Sequence, residues 1–339
     1  MENREIQHSI GDGLDSHVVY ENIISSSNLL LAWYGFLRGK SQKLEAMEFS
    51  RNLEDNLFSL YYNLKEEKYQ HGAYKSFFVF DPKKRHIHKA PVRDRVLHHA
   101  IVRVIEPIFD PRFVFDSYAC RDEKGAHAAL ERLRKFGWKL SQNNTKTVWV
   151  LKCDIKSFFN SIDHEILKNL LARRIQDQRA LNLFQIIIDS FNKETGKGLP
   201  LGNLTSQLFA NIYLNELDQF IKMTLRAKYY MRYCDDFVIL DRDRELLSSY
   251  IEKISDFLNT SLKMELHPKK VSVGKYHRGV DFLGFVCFPH HRILRTKTKR
   301  RMLRKLGEGF NKDSFISYLG LVKHSRSRGV RWEMVKKIT

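Results

Sequence analysis

The chain has 339 residues, 43% of them hydrophobic, which excludes a mainly disordered protein and allows one large domain or two modest ones. Its 58 lysine and arginine residues outnumber the 39 acidic residues, and the formal net charge of +19 predicts a polyanionic partner. Nucleic acid is the first candidate, an anionic membrane surface is the second, and an unrelated basic protein is the remaining alternative.

Neither a membrane anchor nor a structural metal is predicted. The apolar run over residues 29–37 is too short to span a bilayer, and it follows a polar segment unlike a signal peptide. The four cysteines form no C-x-x-C pair, so a zinc site or a disulfide framework is not expected and a reducing cytoplasm fits best. Histidines such as His86, His88 and His98 have no partner at metal-ligand spacing, and we interpret them as surface or RNA-facing residues.

The first half of the chain is predicted to be mainly helical, with apolar stripes that are interpreted as core packing. In chain order the pattern predicts helices over 21–69, a hairpin over 74–87 with a charged tip at Asp81-Pro82, helices over 93–109 and 125–138, and a buried strand over 147–155.

The second half alternates helices with short strands. In chain order the pattern predicts a helix over 164–174, a glycine-rich turn over 193–202, a long helix capped by Thr205-Ser206, two apolar strands over 229–240 with an acidic turn, a helix over 246–262, a hairpin over 279–288, and a basic helical tail from Arg292. Helices are thus segregated from a small antiparallel sheet, which predicts an α+β fold.

Three aspartates stand beside apolar strands. Asp154 ends the run VWVLKCD, and Asp235 and Asp236 occupy the turn of RYCDDFVIL. A carboxylate beside a buried strand is costly unless it is paired or metal-bound, and two adjacent carboxylates raise each other's pKa. If the strands are neighbours, the three carboxylates can hold two Mg²⁺ ions for nucleotidyl transfer. The alternative is an exposed Asp-Asp turn, against which the apolar run over 237–240 argues.

The sequence resembles reverse transcriptases through their YxDD signature, here residues 233–236, and through further motifs in the same order over residues 74–290. The resemblance implies an RNA-directed DNA polymerase of right-hand architecture with a small antiparallel palm sheet. It implies four parts: an N-terminal helical extension over 1–70, fingers over 71–146, a palm over 147–290 with a fingers insertion near 165–205, and a short basic helical thumb over 291–339.

The resemblance also implies roles for individual residues. The catalytic residues are Asp154, Asp235 and Asp236, and Ile155 joins them in the metal site. Phe159 matches the aromatic residue that excludes a ribose 2′-hydroxyl. Binding of the incoming nucleotide is assigned to Lys83, Arg85, Phe159, Leu201, Gln207 and Lys269, with Lys270 as the alternative to Lys269. The primer grip is assigned to Phe282, Leu283 and Gly284.

The basic tail is predicted to follow the nucleic-acid backbone, with a solvated helix face as the alternative. The cations assigned to this contact are Arg295, Lys297, Lys299, Arg300 and Arg301.

The loop LGNLTSQ at residues 201–207 replaces the QGxxxSP of many reverse transcriptases, and it resembles the enzymes of diversity-generating retroelements. This implies error-prone, adenine-mutagenic cDNA synthesis from a template-repeat RNA in a bacterial or phage-encoded system. The implied partners are the RNA template, the DNA product, dNTPs and a small basic helical accessory protein. The alternatives are a reverse transcriptase of a group II intron-like or phage-defence system, and a non-catalytic RNA-binding protein.

Overall fold

The computed structural model describes residues 18–80, 83–309, 311–326 and 328–336. Helices and three small antiparallel sheets make up the described chain, which confirms the predicted α+β class. None of its helices combines the length and apolar character needed to cross a bilayer.

The chain folds as two compact units. Of the described residues, the first unit contains those up to Phe115, Ile155–Phe220 and Asp256–Glu265, and the second contains Asp116–Asp154, Ile221–Ser255 and those from Leu266 onward. These boundaries differ from those of the four predicted parts, whose division stays a prediction.

Most predicted helices are confirmed. In the described ranges, the α-helices longer than four residues are Val19–Ile24, Ser26–Leu37, Leu44–Arg51, Leu53–Lys65, Val92–Phe109, Ala126–Leu140, His164–Ala172, Gln178–Asp189, Leu204–Gln219, Arg244–Ser261, Thr296–Glu308, Lys312–Lys323 and Arg328–Lys336. The helix Gln178–Asp189 was not predicted, although Asp177 caps it by accepting hydrogen bonds from the backbone N–H groups of Arg179 and Ala180.

The helix Val92–Phe109 is the centre of the first unit. It packs against Ser26–Leu37, where the side-chain amide of Asn28 donates to the carbonyl of Ala100 over 3.1 Å. His98 of this helix is buried, so its interpretation as a surface or RNA-facing residue was wrong. The helical face that carries it points into the core.

The first unit contains a ribbon of two antiparallel strands. Strands β1 (Lys75–Val79) and β2 (Arg85–Lys89) pair antiparallel, with Phe78 opposite His86, which confirms the predicted hairpin. Its predicted tip at Asp81-Pro82 lies outside the described residues.

The predicted cap of the helix Leu204–Gln219 was wrong. Thr205 and Ser206 lie inside the helix and are buried, and Asn203 precedes its first residue. The Asn203 side chain serves a different contact, because its amide oxygen accepts from the Ala90 N–H and its NH₂ donates to the His88 carbonyl.

The second unit contains a four-stranded antiparallel sheet in the order β4-β5-β3-β6. Its strands are β3 (Trp149–Asp154), β4 (Tyr229–Tyr233), β5 (Asp236–Asp241) and β6 (Ser272–Lys275). The three strands β3, β4 and β5 were predicted, whereas β6 was not. The apolar side chains of β5 are buried, as the run over 237–240 predicts.

A three-stranded sheet follows, with strands β7 (Val280–Phe282), β8 (Phe285–Cys287) and β9 (Arg292–Leu294). The hairpin β7–β8 confirms the prediction over 279–288. The tail is not helical from Arg292, because β9 pairs with β8 before the helix Thr296–Glu308 begins. Met302 and Leu306 of that helix are buried in the same apolar core as Val150 and Val238 of the larger sheet.

Candidate active site

The three predicted aspartates lie at one end of the four-stranded sheet. Antiparallel pairing of β3 with β5 places Asp154 directly opposite Asp236. Asp235 belongs to the two-residue turn, Cys234-Asp235, that joins β4 to β5. Strand pairing therefore brings together acidic residues that are far apart along the chain.

The turn that carries Asp235 contains a strained residue and is held in place by hydrogen bonds from a buried arginine. Cys234 has a φ of 57°, a left-handed conformation that costs a non-glycine residue about 1–2 kcal/mol. The buried guanidinium of Arg232 donates to the Cys234 carbonyl over 3.1 Å and to the Ser117 hydroxyl over 3.0 Å. Sequence reasoning missed Arg232, although a charged residue inside an apolar strand was the available signal.

Burial raises the pKa of both carboxyl groups of the doublet. For Asp235 the nearby charge of Asp154 adds to this effect. For Asp236 burial outweighs the opposing charge of Lys152, and its pKa rises to about 6. Both groups are therefore poorly stabilised as anions by the protein alone, which favours a bound cation.

Two lysines contact the aspartates. Lys270 Nζ lies 2.6 Å from Asp154 Oδ1, and Lys152 Nζ lies 3.5 Å from Asp236 Oδ2. Lys152 also donates to the backbone carbonyl of Asp281 in β7, so it links the carboxylate end of the sheet to the hairpin predicted as the primer grip. Lys152 was not among the predicted site residues.

The donor set suits a hard divalent cation. Carboxylate oxygens are the ligands that Mg²⁺ prefers, and the buried Oδ1 of Asp236 has no hydrogen-bond partner. Within the described ranges, no three His, Cys, Asp or Glu side chains are grouped tightly enough to hold a metal. In this arrangement Lys270 contacts Asp154, and Lys152 contacts Asp236.

The residues assigned to the incoming nucleotide near the ribbon lie in the first unit. Lys83 precedes β2 and Arg85 begins it, and both are exposed. The Leu201 carbonyl accepts a hydrogen bond from the His88 N–H over 2.9 Å, so the loop before the helix Leu204–Gln219 is joined to β2. Gln207 is exposed in the first turn of that helix.

Phe159 and Ile155 also belong to the first unit, whereas the three aspartates belong to the second. Phe159 is partly buried in the short helix Phe158–Ser161, and its carbonyl accepts from the Leu199 N–H over 2.8 Å. Ile155 follows β3 directly and is buried.

The residues assigned to the primer grip form the tight end of the hairpin β7–β8. Phe282 is buried, and Leu283 and Gly284 make the two-residue turn with φ values of 50° and 85°. Positive φ at both positions is typical of a type I′ turn, which glycine adopts freely and leucine does not. Of the two lysines considered for the pyrophosphate, Lys269 is exposed and Lys270 contacts Asp154.

The five cations predicted to contact the nucleic-acid backbone differ in their surroundings. Arg295 pairs with Asp281, and Lys299 pairs with Glu333 over 2.9 Å. Lys297 and Arg300 are exposed on the helix Thr296–Glu308, and Arg301 is partly buried. The exposed pair is therefore the most accessible part of this basic segment.

Comparison with known proteins identifies the family. The profile of the family "Reverse transcriptase (RNA-dependent DNA polymerase)" matches residues 75–287. Protein YkfC of Escherichia coli K12 is 27% identical over 252 residues, which cover 63% of this chain and 64% of YkfC. The group II intron-encoded protein LtrA of Lactococcus lactis is 24% identical over 262 residues, 57% of this chain and 42% of LtrA.

The fold resembles a solved telomerase from Candida albicans, determined with a fragment of telomeric RNA. The TM-score is 0.50 at 11% identity, and the likeness covers 86% of this chain and 57% of the telomerase. In each comparison the chain spans less than two thirds of the protein that it matches. The profile match covers well over half of the chain and includes all three aspartates, so the chain belongs to the reverse transcriptase family, the RNA-directed DNA polymerases.

Proposed function

We propose that this chain is the error-prone reverse transcriptase of a diversity-generating retroelement, with Asp154, Asp235 and Asp236 as its catalytic carboxylates. The observation that carries the catalytic assignment is the pairing of Asp154 with Asp236 beside the turn of Asp235. The sub-class rests on Leu201 and Gln207 in the loop sequence LGNLTSQ. Adenine-mutagenic copying of a template-repeat RNA follows from that assignment.

The three carboxylates would hold two Mg²⁺ ions, together with the backbone at Ile155. When bound, such ions activate a primer 3′-hydroxyl and neutralise the charge of the leaving pyrophosphate. Arg232 holds the turn of Asp235, and Lys152 fixes Asp236 against the hairpin β7–β8.

The remaining contacts are assigned by chemical type. Lys83 and Arg85 bind the triphosphate, because an exposed guanidinium can grip phosphate oxygens in a bidentate manner. Phe159 excludes the ribose 2′-hydroxyl. Lys270 is assigned to the pyrophosphate in preference to Lys269, because a cation bound by Asp154 would release the Lys270 ammonium that now contacts this carboxylate.

The nucleic-acid partners are an RNA template and its DNA product. Lys297 and Arg300 contact their phosphates, with Arg295, Lys299 and Arg301 beside them, in a thumb formed by the residues after 290. The excess of positive charge favours a further polyanionic partner such as structured RNA. A small basic helical accessory protein completes the proposed system.

A reverse transcriptase of a group II intron-like system is the second candidate. The similarity to LtrA favours it, because LtrA is a group II intron-encoded protein. The two candidates differ in fidelity and in the presence of a variable repeat pair near the gene.

Sequencing of the cDNA made on a defined RNA template with Mg²⁺ tests the proposal. A retroelement enzyme should misincorporate far more often opposite adenine than opposite the other three bases. Uniform fidelity would favour the intron-like candidate. The Asp235→Asn variant on the same template controls for contaminating polymerase.

A further inference from the structure

The second unit has a cavity of about 330 Å³ whose lining includes none of the residues assigned above to catalysis, the incoming nucleotide, the primer grip or the nucleic-acid backbone. Its wall combines the helix Ala126–Leu140, the loop between β8 and β9, and the turn after the helix Lys312–Lys323. That loop lies at the opposite end of the three-stranded sheet from the turn Leu283-Gly284, because successive turns of an antiparallel sheet alternate between its ends. We call it the basic cavity, since its charged lining residues are Arg134, Arg292, Lys323, Arg326 and a single carboxylate, Glu131.

Most of the positive charge of the basic cavity is uncompensated. Glu131 is already occupied by Arg134, whose guanidinium donates to both carboxylate oxygens over 2.5–3.2 Å. Among the described residues, no carboxylate forms an ion pair with Arg292, Lys323 or Arg326. Cations that converge on one concave surface repel each other and create a positive potential, so an anion that enters the cavity is stabilised.

Hydrogen bonds fix part of this charged wall in place. The Nε of Arg292 donates to the carbonyl of His324, and the backbone N–H of Arg326 donates to the carbonyl of Arg292 over 2.8 Å. The start of β9 is therefore tied to the turn after the helix Lys312–Lys323. A guanidinium that is held before the ligand arrives loses less side-chain entropy on binding, which favours affinity.

Two imidazoles beside the cations show the same repulsion. The rings of His127 and His324 lie 3.9 Å apart, measured between their centres. Burial lowers the pKa of His127, and the neighbouring His324 and Arg292 lower it further. An anion in the basic cavity would relieve the repulsion among these groups as well as that among the cations.

The other side of the basic cavity is apolar and flat. Leu130 and Phe288 line it, and the Phe288 ring stacks on His291 with the ring centres 4.9 Å apart. The volume of the cavity is at the lower end of the range of about 300–1,000 Å³ that is typical of small-molecule sites. An aromatic wall beside a group of cations suits a ligand that combines a flat ring with an anionic group.

We propose that the basic cavity binds the phosphate monoester of a nucleotide, with the phosphate held by Arg292, Lys323 and Arg326 and the base against Phe288. A monoester carries a charge of about −1.5 to −2 at neutral pH, whereas a backbone phosphodiester carries about −1, so the three unpaired cations favour the monoester. Guanidinium and ammonium groups are the usual partners of such a phosphate. The inference goes beyond the proposed function and does not rest on it.

Calorimetric titration of the full chain with AMP tests this proposal. Chelator is present, so that no metal ion recruits phosphate to the aspartates. 3′,5′-Cyclic AMP is the matched ligand, because it has the same base and sugar but a diester, and it should bind roughly tenfold more weakly than AMP. We expect Lys323→Ala and Arg326→Ala each to weaken AMP binding roughly fivefold.

Lys312→Ala is the matched control variant. Lys312 is exposed at the other end of the same helix as Lys323, and its substitution removes the same charge. This variant should bind AMP with wild-type affinity. An equal loss through Lys312→Ala and Lys323→Ala would overturn the proposal, since it would indicate attraction to the net charge of the chain. Equal affinity of the wild type for AMP and cyclic AMP would overturn it too.

Two RNA oligonucleotides of about eight residues, which differ only in a 5′-phosphate or a 5′-hydroxyl, identify the source of the monoester. A gain in affinity from the 5′-phosphate that Lys323→Ala removes would identify the end of an RNA strand as the ligand. A dependence on Lys323 that appears with AMP but not with the RNA pair would identify a free nucleotide. If Lys323→Ala alters neither, the basic cavity does not bind a phosphate monoester and the proposal is overturned.

Discussion

The carboxylate end of the four-stranded sheet and the aromatic face of the β1–β2 ribbon, with Phe78, His86 and His88, place aromatic rings in opposite environments. In the sheet, Phe237 is fully buried and supports charged groups that are poorly solvated. In the ribbon, Phe78 is about half exposed and carries the Lys84 ammonium over its ring. A two-stranded ribbon has too little apolar area to cover both its faces, whereas the sheet packs against a large core. The same residue type thus stabilises the fold in one place and is exposed to solvent in the other.

The largest expected effect comes from the carboxylate end. Asp235→Asn should reduce primer extension on the order of a thousandfold or more, because the anionic ligand of the catalytic ions is lost. It should not destabilise the fold, since burial already opposes ionisation of this group. Primer extension and thermal unfolding measure the two effects.

The matched control for this prediction is Asp241→Asn, at the other end of the same strand. It should extend primers at close to the wild-type rate. A fully active Asp235→Asn enzyme would show that the carboxylate end is structural, and the contrast with the ribbon would then disappear.

The next effect contrasts the two phenylalanines directly. Phe237→Ala removes a fully buried ring and should lower the free energy of unfolding by about 3–5 kcal/mol. Phe77→Ala removes a ring that is 46% exposed and should change it by about 0.5 kcal/mol or less. Urea unfolding measures both, and similar losses for the two variants would mean that the ribbon is part of the core.

A pH effect sharpens the description of the carboxylate end. The pKa of Asp236 is about 6 in the folded protein, above the ordinary value of 3.8, so the folded state holds this proton more tightly than the unfolded state does. The free energy of unfolding should therefore fall as pH rises from about 4 to about 6. Asp236→Asn lacks this loss, and should be more stable than wild type by up to about 3 kcal/mol near neutral pH in chelator.

The difference in the free energy of unfolding between Asp236→Asn and wild type should vanish near pH 4. Added Mg²⁺ should reduce it, because the ion binds the wild-type carboxylate. Lys152 lowers the pKa of Asp236, so in Lys152→Met the fall in the free energy of unfolding should extend to higher pH. Thermal unfolding across the pH range checks each point. A pH-independent difference would contradict the assignment of the effect to this carboxyl group.

The smallest effect concerns the loop joined to the ribbon. In the proposed enzyme residue 201 lies near the nascent base pair, where the amide introduced by Leu201→Gln can form a hydrogen bond. We expect this variant to improve discrimination at adenine by on the order of 1 kcal/mol, about fivefold in error frequency. Sequencing of cDNA from both enzymes measures it. Leu201→Met is the control, because it keeps an apolar side chain, and equal improvement by both variants would exclude the amide as the cause.

The hairpin around Asp235 and most helices follow from local signals in the chain. Apolar runs and helical periodicity report burial without knowledge of the partner, and therefore predicted β3, β4, β5 and Val92–Phe109. The helix Gln178–Asp189 carries the same signals and could have been predicted. The cap at Thr205-Ser206 failed for a tertiary reason, since Asn203 is recruited by the ribbon.

The sequence by itself determined the family and the fold class, and it singled out the three aspartates that strand pairing brings together, because motif order and apolar patterning are properties of the chain alone. Tertiary structure decided which of two adjacent lysines reaches Asp154 and that Lys152 bridges Asp236 to Asp281. It also decided that Phe78 and His86 share a face apart from Arg85. A shift of one residue in strand register would reverse that face, and register is set by pairing and packing across strands.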